Sequence, residues 1–124
     1  MRHQNVMYFT EKEEEFVNLL TQAGIKRPAA QLLVFLSNTP EATSRDLVRG
    51  TDLRQPEVSI AIKYMTEQGW VKTCEVGSEK KGRPMKSYSL AVPVKEIIAG
   101  IEKMNKDEAT RKLDLIKKMK DYLK

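Results

Sequence analysis

Gln55, Ser59 and Lys63 are spaced four apart, which sets an amide, a hydroxyl and an ammonium along one side of any helix that carries them. Those groups suit base edges and phosphates, glutamine being able to pair an adenine edge in a major groove. Further along, Lys80, Lys81, Arg83 and Lys86 place four cations within seven residues, a density suited to backbone phosphates. Each pattern has a plain rival, a solvated helix face and a solvated loop, so the elements that carry them decide their meaning.

Those elements are legible. Thr43-Ser44-Arg45-Asp46 places a hydroxyl and a carboxylate three apart, a capping box that opens a helix with Leu47 and Val48 as its buried pair. Gly50-Thr51-Asp52 leaves helical geometry with little strain, and Leu53 plugs the corner. A second helix starts near Gln55 and Pro56, since proline is tolerated in a first turn. Val58, Ala61, Ile62 and Met65 form its core stripe. Gly69 ends it, Trp70 reads as core, and strands over 71–76 and 85–90 flank the basic loop 77–84. The order helix, turn, helix, basic hairpin reads as a winged helix that grips DNA, with Arg45 touching phosphate.

These residues resemble the winged-helix transcription regulators of the MarR and TrmB type found in bacteria and archaea. Asp52-Leu53-Arg54-Gln55-Pro56-Glu57-Val58-Ser59 resembles their turn and recognition helix, and Glu67-Gln68-Gly69-Trp70-Val71 their exit into the wing. Gly82-Arg83-Pro84 before the Tyr88 strand is similar to the wing of many archaeal members, which implies a minor-groove position for Arg83. The resemblance implies a recognition helix that presents Gln55, Pro56, Ser59, Ile60 and Lys63 to the major groove, with Lys80, Lys81, Arg83 and Lys86 on flanking DNA. Arg54 stands where these regulators usually carry a serine or threonine cap, a loss of about 1 kcal/mol that a phosphate contact by Arg54 could offset. The sugar-binding domain of some TrmB-like regulators has no counterpart before Lys124, so sugar sensing is not expected.

Charge supports the same reading, but through its distribution. The 124 residues carry a net +5. Residues 1–24 set Arg2 and Lys12 against four glutamates, residues 25–92 set eleven cations against seven anions, and residues 93–124 set nine against six. The lysine-rich tail needs no ligand, so its excess counts for little.

Before the central motif, Thr10-Glu11-Lys12-Glu13 is a second capping box, with Phe16, Leu19, Leu20 and Ala23 expected as the buried stripe and Gly24 as the stop. Pro28 opens a helix carrying Ala29, Leu32, Leu33, Phe35 and Leu36. The apolar run Met7-Tyr8-Phe9 either caps the domain or reaches a second subunit. From Pro93 to Lys124 the chain reads as one helix about 45 Å long. Val94, Ile97, Ile98, Ile101 and Met104 form one apolar cluster, expected on the wing domain, and Leu113, Ile116, Met119 and Leu123 form a second, expected on the same helix of another copy.

The fold class expected is therefore mostly α with a small β-hairpin (α+β), a winged helix-turn-helix domain over 1–92 and a dimerisation helix over 93–124. Enzymatic readings lack residues. His3 is the single histidine, and Gly77 to Gly82 has phosphate-loop spacing but is followed by Arg83-Pro84 rather than Lys-Ser/Thr. Cys74 is the single cysteine, expected to be a small buried residue in a reducing compartment, with a redox role as its rival. No metal or cofactor is expected, and no stretch approaches a membrane span, which with the missing export segment indicates the cytoplasm. The function expected is a sequence-specific homodimeric regulator on double-stranded DNA, with a protein-interaction module of a transcription assembly as the alternative. A small-molecule effector between the wing domain and the C-terminal helix stays open, with no residue behind it beyond Cys74.

Overall fold

A computed structural model describes residues 9–76 and 85–124. Helix α1 (Glu11–Gln22) begins at the expected box: the Glu13 N–H donates to Thr10 Oγ1 at 3.1 Å, and the Thr10 N–H to Glu13 Oε1 at 2.8 Å. Gly24, at φ 106°, ends it in the left-handed region that glycine alone enters without strain. Its buried residues are Val17 and Leu20, whereas Phe16 and Ala23 are half-buried and Leu19 is 56% exposed. The stripe is thus rotated from the expected one. Leu20 belongs to both faces, and packing against the next helix selects the one that also holds Val17.

That helix, α2 (Arg27–Asn38), carries Pro28 in its first turn and is buried continuously from Ala29 to Leu36. A helix covered on every side is the centre of a domain rather than one of its walls. The core it anchors also takes Ile25, Leu47, Val58 and Met65, all nearly inaccessible.

The strand β1 (Ala42–Thr43) follows, then α3 (Ser44–Gly50), α4 (Gln55–Glu67), β2 (Val71–Val76) and β3 (Met85–Leu90). The sheet is antiparallel in the order β1-β3-β2, with Val71 opposite Leu90, Cys74 opposite Ser87 and Glu75 opposite Lys86. Sequence reasoning expected only the two-stranded hairpin. β1 escaped it because two residues show no alternation, and Thr43 serves both as its last residue and as the cap of α3. Ser87, buried in β3, donates its hydroxyl to the Glu41 carboxylate at 2.6 Å, which ties the approach to β1 onto the hairpin.

Gly50 is a second correction. It lies inside α3 rather than in the turn, and it is buried against the ring of Phe35, where a Cβ would overlap the ring carbons. Its role is close approach between α3 and α2.

The chain divides into two units, Met1–Val94 and Lys95–Lys124. The second is almost wholly the helix α5 (Val94–Asp121), which starts one residue beyond Pro93 and absorbs Gly100 without a break. Ile97 and Ile101 are buried, while Ile98 and Met104 are 44% and 41% exposed, so the first apolar cluster is narrower than its sequence suggests. Leu113, Leu115, Ile116, Met119, Tyr122 and Leu123 are all exposed. None of the helices among the described residues is long and apolar enough to cross a membrane.

Candidate nucleic-acid interface

The helix-turn-helix is held by its own polar groups. In α3 the Asp46 N–H donates to Thr43 Oγ1 at 3.1 Å and the Thr43 N–H to Asp46 Oδ2 at 3.0 Å, closing the expected box. The Thr51 hydroxyl donates to the Leu47 carbonyl at 2.7 Å and accepts the Leu53 N–H at 3.2 Å. Thr51 therefore pins both sides of the turn while Leu53 fills the corner, and α4 leaves at a fixed angle. Sequence reasoning saw a turn here but not the residue that locks it.

At the start of α4 only half a box exists. The Glu57 carboxylate accepts the Arg54 N–H at 2.9 Å, but a guanidinium carries donors only and returns nothing to the Glu57 N–H. Arg54 is exposed, so its charge is available to an anion.

The exposed surface of α4 differs in detail from the sequence reading. Val58, Ala61, Ile62 and Met65 are buried as expected. At about 100° per residue, Pro56, Ile60 and Lys63 lie within about 30° of the direction opposite that stripe, while Gln55 and Ser59 lie on one flank. All five are exposed, Ile60 by 71%. Gln55 and Ser59 are 3.5 Å apart, the Gln55 amide donating weakly to the Ser59 hydroxyl, which keeps the two groups side by side. Glu67 shares this face at its C-terminal end and would repel phosphate, so the stretch from Gln55 to Lys63 is the part fitted to an anionic duplex.

Exposed cations sit on the elements of the helix-turn-helix. Arg45 and Arg49 sit four apart on α3, both exposed, with Arg54 at the corner and Lys63 on α4. Among the described residues none of these four enters an ion pair, whereas five of the six ion pairs join residues 102–124, for example Lys103 with Asp107 at 3.2 Å and Arg111 with Glu108 at 2.7 Å. Much of the tail's charge is internally matched, and that beside α4 is not. Sequence reasoning missed Arg49, although its spacing from Arg45 was the available signal.

Lys86 is exposed in β3 but sits directly across from Glu75, which lowers the local positive potential. Lys80, Lys81 and Arg83 lie outside the described residues, as do Met7 and Tyr8. Beneath the hairpin, Trp70 is buried as expected and meets Tyr64 edge to face, ring centres 5.7 Å apart. Burial raises the Tyr64 phenol above its usual 10.0, so it stays a neutral ring on the side of α4. Cys74 is half-buried rather than enclosed. Among the described residues no cluster of three or more histidine, cysteine or carboxylate side chains could hold a metal ion. An apolar cleft of about 320 Å³ lies between the α1–α2 turn, at Gly24 and Pro28, and Ile60 and Tyr64 of α4.

Comparison with known proteins agrees with this geometry. The model of the MarR family matches residues 23–83, from the end of α1 through the hairpin loop. No curated protein matches the sequence. Among solved structures the chain is similar to TrmBL2, an archaeal chromatin protein whose structure is described as showing a novel mode of DNA binding, with a TM-score of 0.70 and 17% identity over 90% of this chain and 40% of that one. It is similar also to a possible transcriptional regulator from Methanosarcina mazei Go1, with a TM-score of 0.60 and 15% identity over 89% of this chain and 96% of that one. At such identities the structures establish the fold, and this chain spans well under half of TrmBL2. The MarR family is one of transcription regulators, not enzymes, and the second of these structures is described as a possible transcriptional regulator. The capped helix-turn-helix, the hairpin behind it and the MarR-family match over residues 23–83 together make this chain a winged-helix protein similar to the MarR family.

Proposed function

We propose that this protein is a cytoplasmic, homodimeric transcription regulator that binds specific sites on double-stranded DNA. The observation that carries the reading is the exposed face of α4, where Gln55, Pro56, Ser59, Ile60 and Lys63 are exposed together, and the exposed Arg45, Arg49 and Arg54 of α3 and the turn after it, which enter no ion pair among the described residues. In this reading α4 enters the major groove, the arginines position it on phosphates, and Lys80, Lys81, Arg83 and Lys86 follow the flanking backbone or minor groove. Leu113, Ile116, Met119 and Leu123 form the dimer seam; all are exposed, the first three on α5 and Leu123 just past its end, and they recur at three- and four-residue spacing. A twofold dimer would set two copies of α4 about 34 Å apart, one turn of DNA.

Selection of fragmented source-genome DNA by the purified protein at about 150 mM salt tests this, since non-specific binding is weak there. An enriched inverted repeat with half-sites about one turn apart is expected. The exposed apolar residues of α5 favour one other reading, a module that docks on a transcription assembly and touches DNA weakly. Absence of enrichment decides for that module.

A further inference from the structure

Ile60 is the one large aliphatic side chain on the exposed face of α4, and its 71% exposure exceeds that of every other large aliphatic residue described before α5. A single exposed isoleucine is ordinary on a protein surface. This one is not placed ordinarily: it projects within about 30° of the direction opposite the core stripe, next to Pro56 and Lys63 along α4, on the flank away from Gln55 and Ser59 and at the rim of the apolar cleft beside Tyr64. A major groove lined with donors and acceptors offers one apolar partner, the C5-methyl group of thymine. As a β-branched residue in a helix, Ile60 holds one dominant χ1 rotamer, so little side-chain freedom remains to be lost when it meets that methyl.

We propose that Ile60 determines sequence specificity by packing on a thymine methyl of the half-site. The assignment rests on the DNA-binding reading above.

Uracil substitution tests this without changing the protein. In the duplex enriched by genomic selection, each half-site thymine is replaced singly by deoxyuridine, which deletes only the C5-methyl, and dissociation constants are measured by fluorescence anisotropy at fixed salt. At one position the wild type is expected to lose about fourfold in affinity, the effect of exposing one buried methyl. Ile60→Ala is expected to bind the thymine duplex more weakly by at least as much and to show no further loss on that deoxyuridine duplex. The proposal is overturned if no thymine position is sensitive in the wild type, or if Ile60→Ala keeps the full sensitivity. A selection with no enriched sequence removes the DNA-binding reading and this assignment together, whereas enrichment with indifference to uracil removes the assignment alone.

Discussion

Replacing Gly50 by alanine is a sharp test of how the helix-turn-helix is built. Gly50 is buried at the end of α3, and a Cβ there would overlap Cε2 of Phe35 and lie 2.8 Å from Cζ and 2.9 Å from Cδ2. Phe35 is itself 7% exposed in the central helix, so its ring has no open space to move into. Overpacking of this kind costs about 1–3 kcal/mol. Alanine recovers up to about 1 kcal/mol of helix propensity, and less at the last residue of a helix. The net expectation is a loss of about 1–2 kcal/mol, or roughly 5–15 °C in melting temperature for a domain of this size. Gly100→Ala is the control, because nothing lies within 4 Å of that position inside α5, and it should stabilise by about 0.5–1 kcal/mol. Urea unfolding followed by circular dichroism measures both. In a double-mutant cycle, Phe35→Leu should absorb part of the Gly50→Ala cost, leaving the pair less destabilised than the sum of the singles. A Gly50→Ala protein as stable as the wild type would falsify the close-approach role and return Gly50 to the turn.

Other expectations follow from individual contacts. Thr43→Ala removes the acceptor for the Asp46 N–H and should cost about 1 kcal/mol, read by the same unfolding assay; a change below a few tenths would mean that water replaces the cap fully. Gln55→Ala should relax preference at one base pair, whereas Arg45→Ala should weaken binding to all sequences and lower the salt slope by about one; equal losses on every sequence for both variants would refute the division of roles. Ile116→Asp, at an exposed position of the proposed seam, should convert a dimer to a monomer in light scattering while leaving helicity intact, and a wild type that is already monomeric would remove the seam altogether.

Sequence alone determined those features that reside in a few neighbouring residues. Both capping boxes, the glycine stops at Gly24 and Gly69, the proline-opened helices and the core stripe of α4 follow from side-chain chemistry acting over three or four positions, and each is present. The central part of the candidate interface was legible for the same reason. Residues opposite a buried stripe are exposed whatever the rest of the chain does, provided the stripe is read correctly.

What only the tertiary structure decided are choices between locally equivalent options. The stripe over Val17 and Leu20 prevailed over the one through Leu19 because α2 lies on that side. β1 exists because β3 offers an open edge to two residues that have no strand signal of their own. Gly50 is required by a ring fifteen positions away rather than by its own backbone. Among the described residues, Arg45, Arg49, Arg54 and Lys63 differ from the matched cations of residues 102–124 in that folding gives them no ion-pair partner. Spacing along a chain reports which groups share a helix face, but which groups find partners depends on the distances that folding sets.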